Sequence, residues 1–217
     1  MGKDKIPSAA LRHLVESCIP MFQPRSMYSQ LGSLNIGTTA QSREVTFLSD
    51  QLTDGRVFRM LVIMDVYSRE CLAVEVDTSI TGKRVARVLD RLNEQRGLPK
   101  VLGSDNGPEF RSRHMDQWAY ARGVKLHFIK PGKPTQNAHI ESLNSQIRKR
   151  LLNTNWFTSL AAVRYRAEEW RTTYNTIQRH GSLNKQTPET FAPRPGSGRL
   201  RLPTPGLGKT KAKHWLD

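Results

Sequence analysis

The 217-residue chain carries 34 Lys plus Arg against 19 Asp plus Glu, a net charge of +15, enough length for one well-buried domain with extensions. That excess predicts a polyanionic partner, nucleic acid before membrane, because no run approaches the ~18 apolar residues that span a bilayer. The distant Cys18 and Cys71 exclude a disulfide framework or zinc cluster, and with no signal-like apolar N-terminus the expected location is cytoplasmic.

Residues 1–42 hold a short helical pattern at 9–15, broken by Pro20, Pro24, Gly32 and Gly37, and read as a poorly ordered extension. Residues 45–48 predict a strand, and Thr53-Asp54-Gly55-Arg56 a hairpin turn. The apolar and β-branched run 57–66 predicts a central strand buried on both faces, followed after a turn by a third strand at 71–76. Three strands joined by short turns make an antiparallel meander.

Thr81 stands where a helix cap belongs, ahead of Val85, Val88, Leu89 and Leu92 on one face, with Gly97 as the stop. A short strand then ends in Ser104-Asp105-Asn106-Gly107. Met115, Trp118 and Ala119 mark a second helix, and 124–129 a fifth strand. Beyond the Lys130-Pro131-Gly132-Lys133-Pro134 loop, Ile140, Leu143, Ile147 and Leu151 define the buried side of a third helix. Leu160, Val163, Ala167, Trp170 and Tyr174 form the stripe of a fourth. The expected fold class is α/β, a five-stranded mixed sheet with helices on both faces. The domain extends over 43–193, and the Pro-, Gly- and Lys/Arg-rich residues 194–217 read as a flexible basic tail.

Two carboxylates stand out. Asp105 ends a central strand, where ligands gather in open α/β sheets, although Asp-Asn-Gly also suits a plain turn. Glu141 follows after 35 intervening residues, opposite the apolar stripe of its helix and near its N-terminal end. There it either complements the helix dipole or joins Asp105 as an oxygen ligand. Two such groups suit Mg²⁺, which polarises a phosphodiester and activates a hydroxyl nucleophile.

The stretches GSDNGPEF, FIKPGKPTQNAHIESLNSQIR, DVYSRECLAVEV and WRTTYNT…RHGSLNKQTPETF resemble the integrase-type catalytic core of bacterial insertion-sequence transposases. The resemblance is to the insertion-sequence family numbered three, relatives of retroviral integrases, and runs from about residue 43 to 193. It implies a ribonuclease H-like fold acting on double-stranded DNA as a homo-oligomer. It also implies an Asp, Asp, Glu triad holding two Mg²⁺ or Mn²⁺ ions for DNA cleavage and strand transfer. Asp105 falls on the second aspartate and Glu141 on the glutamate.

The first aspartate is missing. Where relatives read Trp-Ser-x-Asp-Phe-Val-Ser-Asp, this chain reads Arg43-Glu44-Val45-Thr46-Phe47-Leu48-Ser49-Asp50, with Thr46 in the catalytic position. A neutral hydroxyl substitutes poorly for a bridging carboxylate. Strand parity puts Glu44 and Asp50 on the face of Thr46, displaced by about 7 and 13 Å along the strand, so only Glu44 is a candidate substitute ligand. Asp65 reads as a cap of the turn that follows it. Arg148-Lys149-Arg150 and Gln178-Arg179-His180 also depart from the relatives' pattern. The copy is therefore expected to be degenerate, with an incomplete metal site and little strand transfer.

Lys130, Lys133, Gln136, Asn137, Asn144, Arg148 and Lys149 are the candidate DNA contacts, although Asn137 also suits a helix cap and Asn144 could orient Glu141. Trp156, Trp170 and Tyr174 read as core rather than base-stacking residues. Two other functions compete with a transposase core: a non-catalytic DNA-binding or regulatory remnant, and a ribonuclease H-like nuclease.

Overall fold

The computed structural model describes residues 41–129 and 138–192. Its sheet contains β1 (Ser42–Gln51), β2 (Val57–Asp65), β3 (Cys71–Asp77), β4 (Val101–Ser104) and β5 (Lys125–Phe128), in the spatial order β3-β2-β1-β4-β5. The first three strands are antiparallel, while β4 runs parallel to β1 and β5 parallel to β4. The meander and the mixed sheet are those the sequence predicts, with β1 longer than the predicted 45–48 by three residues at each end.

Local chemistry sets the turns. Between β1 and β2, Asp54 Oδ1 accepts from the Arg56 amide at 3.0 Å, and Gly55 takes a φ of 83°. Between β2 and β3, Asp65 Oδ1 accepts from the amides of Tyr67 (3.1 Å) and Ser68 (2.8 Å) and from the Ser68 hydroxyl (3.0 Å). Asp65 is thus the turn cap its position suggested.

Helices cover both faces of the sheet, and β2 shows why its sequence is continuously apolar. Leu61 and Ile63 pack with Val45, Leu102 and the buried sides of α1 (Gly82–Arg96) and α2 (Arg113–Arg122). Met60, Val62 and Met64 pack on the opposite face against α3 (Ala138–Ile147) and α4 (Leu160–Thr176). Each buried Leu or Ile contributes about 1.5–3 kcal/mol relative to exposure, so the three core residues of α3 (Ile140, Leu143 and Ile147) suffice to seat it. Thr81 occupies the N-cap of α1 but makes no capping bond, whereas the Ser112 and Ser159 hydroxyls accept from Met115 and Ala162 at the starts of α2 and α4. A short α5 (Pro188–Phe191) follows.

α3 does not simply continue. Residues Arg148–Leu152 form a π turn in which the Asn153 amide donates to the Arg148 carbonyl at 2.8 Å. The consecutive Leu151 and Leu152 of this turn both face the core.

Candidate active site

The parallel pairing of β1 with β4 sets the site. Glu44 lies opposite Gly103 and Val45 opposite Ser104, so the next residue of each strand is Thr46 and Asp105. Thr46 is buried on the α3 side of the sheet, the side shared by Leu48 and Val62. The structure therefore brings Thr46 alongside the point where β4 releases Asp105.

A set of long-range contacts fixes the Asp105 corner. Asp105 Oδ1 accepts from the Gly107 amide at 2.9 Å, so the residue closes a turn with one oxygen while Oδ2 takes no part in it. Asn106 Nδ2 donates to the Ile129 carbonyl at 2.8 Å, joining the corner to the end of β5. Glu109 is ion-paired with Arg59 of β2, which draws the Glu109 carboxyl below the usual carboxylate range against the opposing effect of burial. The Arg59 guanidinium in turn lies 4.2 Å from the Phe47 ring centroid, and that ring stacks on Phe110 at 5.1 Å. Phe110 is itself buried in the core. A Cβ at Gly107 would sit 2.9 Å from Asp105 Oδ1 and 3.1 Å from Glu109 Oε2, so a side chain there would displace these two carboxylates.

Glu141 sits exposed in the first turn of α3, as its helical phase predicts. The adjacent Ile140 amide donates to Glu44 Oε2 at 3.1 Å. Glu44 is only 2% exposed, and its carboxyl is pushed up to about 7. Burial is the chief cause; the Glu141 charge adds to it, while the Ile140 amide and Arg69 oppose it. Glu44 thus lies close enough to Glu141 to feel its charge, with a carboxylate oxygen engaged in holding the start of α3.

A cleft of about 450 Å³ extends from Glu141 along α3 and the π turn, lined by Leu48, Asn144, Ser145, Arg148, Lys149 and Asn153. Asn144, Arg148 and Lys149, read from the sequence as DNA contacts, share this cleft with the glutamate. The Asn144 carbonyl oxygen is buried there without a hydrogen-bond partner. Lys130, Lys133, Gln136 and Asn137 lie outside the described residues, as do most of the N-terminal extension and all of the C-terminal tail.

Asp105 and Glu141 offer carboxylate oxygens, Thr46 offers a neutral hydroxyl, and Glu44 is engaged with Ile140. Among the described residues no group of three or more His, Cys, Asp or Glu is placed to hold a metal ion.

One expectation is overturned. Trp156 is not core but 91% exposed, because the next residue, Phe157, fills the interior against Phe58 at 6.1 Å, ring edge to face. Trp170 and Tyr174 are buried and stacked at 5.2 Å, as their stripe predicts. His180 packs edge-on against Tyr174, with its Nε2 buried and unpartnered. No local pattern signalled the Arg59–Glu109 pair or the Glu44–Ile140 bond, which join residues 50 and 96 positions apart.

Two family models described as Integrase core domain match residues 44–134 and 122–188. The chain is 47% identical over 148 residues to the insertion element IS407 uncharacterized 31.7 kDa protein of Burkholderia multivorans, covering 68% of this chain and 53% of that protein. It is 42% identical over 146 residues to the insertion element IS476 uncharacterized 39.2 kDa protein of Xanthomonas euvesicatoria, covering 67% and 42%. The chain thus spans about half the length of these curated relatives. Among solved structures, the simian T-cell lymphotropic virus intasome in complex with PP2A regulatory subunit B56 gamma matches with a TM-score of 0.60 at 15% identity, covering 76% of this chain and 59% of that one. The HTLV-2 integrase catalytic core domain in complex with magnesium, in a trimeric form, matches with a TM-score of 0.54 at 16% identity, covering 70% and 95%. These two likenesses establish a fold shared with retroviral integrase cores, the ribonuclease H-like fold.

Proposed function

The chain belongs to the integrase core domain family, and on that premise we propose that the Asp105 corner and the Glu141 cleft together form a transposase site for DNA cleavage and strand transfer, degenerate at Thr46. The observation that supports this reading is the register of β1 against β4, which sets Thr46 beside Asp105 under the helix that bears Glu141. Double-stranded DNA is the proposed substrate. The net charge of +15 and the basic lining at Arg148 and Lys149 favour its backbone, and a homo-oligomer on DNA is the proposed working form.

Asp105 and Glu141 would hold Mg²⁺ or Mn²⁺, which in this chemistry supplies Lewis acidity at the phosphorus. Thr46 leaves that set without its bridging oxygen. Arg148, Lys149 and Asn144 would position the backbone along the cleft, and the Gly107 amide fixes the rotamer of Asp105. The loss of one preorganised stabiliser costs roughly 10²–10³ in rate, so the chain as it stands is expected to show little strand transfer. A second reading follows from the same observation: with Thr46 in place, the chain acts as a non-catalytic DNA-binding protein that retains the fold.

A paired assay separates the two. The chain and its Thr46→Asp variant are each given donor DNA carrying the element's ends, with Mg²⁺ or Mn²⁺. Gain of end cleavage and of Mn²⁺ affinity in the variant supports a degenerate transposase. Silence in both, with salt-sensitive DNA binding retained, supports the binding protein. Robust activity of the unmodified chain, abolished by Glu44→Gln, would make Glu44 the third ligand and refute the inactivity of this copy.

A further inference from the structure

We propose that Trp156 is a stacking platform for an unpaired nucleobase on a DNA strand lying along the Glu141 cleft. This inference rests on the DNA reading above and adds a specific contact to it. The indole is 91% exposed, yet the backbone that carries it is held on both sides. Upstream, Thr154 Oγ1 donates to the Arg150 carbonyl at 3.0 Å and Asn155 Nδ2 to the Leu151 carbonyl at 2.7 Å. Downstream, the Phe157 carbonyl accepts from the Thr53 amide at 2.8 Å, and the Phe157 ring is buried. Exposure of Trp156 therefore does not come from a loose segment, and the interior place is taken by its neighbour.

The surroundings point to an anionic occupant. Arg148, Lys149 and Arg150 are exposed on the π turn just before it. No acidic residue occurs in the sequence between Glu141 and Glu168. Asn153 lines the cleft and is three residues from Trp156, at most about 11 Å of chain. An indole beside cationic side chains fits a nucleotide, whose phosphate answers the charge and whose base answers the ring. The occupant must be unpaired, because base faces inside a duplex are already stacked on one another.

The test measures affinity by fluorescence anisotropy for a blunt duplex and for the same duplex with a single-stranded overhang. Trp156→Ala is expected to weaken overhang binding about tenfold. It should leave blunt-duplex affinity within about twofold and the salt slope unchanged, since no charge is removed. Trp156→Phe should recover most of the loss. Lys149→Ala, the charge control, should weaken both DNAs and reduce the salt slope by about 0.9. Equal losses of Trp156→Ala on both DNAs, or none on either, overturn the stacking role while leaving the DNA reading intact. Dissociation of an oligomer by Trp156→Ala, seen in sedimentation, also overturns it by showing that a second copy covers the ring. Failure of the unmodified chain to bind any DNA brings down the nucleic-acid reading itself, and this proposal with it.

Discussion

Asp105, just past the end of β4, stands beside Thr46 of β1, yet the two positions differ in what surrounds them. The Asp105 corner keeps its supports: the Gly107 turn, the Asn106 tie to β5, the Glu109–Arg59 pair and the buried Phe110. Position 46 keeps its place in the sheet and lacks the carboxylate, while a buried Glu44 stands two residues upstream. The residues that hold the architecture are thus distinct from the one that would complete the chemistry. Threonine at this position suits the sheet itself, because Thr favours a strand as much as Asp disfavours it.

The contrast can be broken most severely at Phe110. Phe110→Ala is expected to cost about 3–5 kcal/mol in denaturant unfolding, since the ring is buried and stacked on Phe47. A loss below about 1 kcal/mol would mean the corner is not held by its core contacts.

Glu44 tests the other side of the comparison. Its folded-state value near 7 lies above the ordinary 4.5, so the folded state binds the extra proton. Stability contributed by the protonated form is present below about 4.5 and is lost as pH rises through 7, by about 3 kcal/mol in total. Glu44→Gln keeps an acceptor for the Ile140 amide, so unfolding free energy should become flatter over that window and higher at pH 8. An unchanged pH profile would show that Glu44 does not titrate as a buried group.

Gly107→Ala should cost about 1–3 kcal/mol as the added methyl crowds Asp105 and Glu109. It should also weaken Mn²⁺ binding, read by calorimetry, because Asp105 must turn away; full retention of metal affinity would separate Asp105 from the site. Smallest of all, Asn106→Ala should cost about 1 kcal/mol through loss of the Ile129 bond. Amide exchange at the end of β5 should accelerate, and no local change there would show the bond to be dispensable.

What was legible in the sequence was mostly local or periodic. The β2 run declared burial on both faces, and Ile140, Leu143 and Ile147 declared the inner side of α3. Asp65 could be read as a cap because its partners lie two and three residues away. Glu109 could not be joined to Arg59, nor Glu44 to Ile140, because only the assembled sheet brings them together. Trp156 was misread for a related reason. Two aromatic residues in succession after a helix leave open which one turns inward, and Phe157 has the edge-to-face partner. The π turn escaped because it differs from a regular helix in its backbone hydrogen bonding, which side-chain periodicity does not report.

That π turn also determines which genetic changes this part of the chain tolerates. A π turn holds one residue more than the α turn it replaces, so Arg148–Leu152 contains a residue that the backbone can lose. A single in-frame codon deletion there would close the turn to a regular α-helical one and leave the following segment in phase, with Phe157 near its seat on Phe58. Variation along residues 148–152 should therefore include loss of one residue as well as substitution.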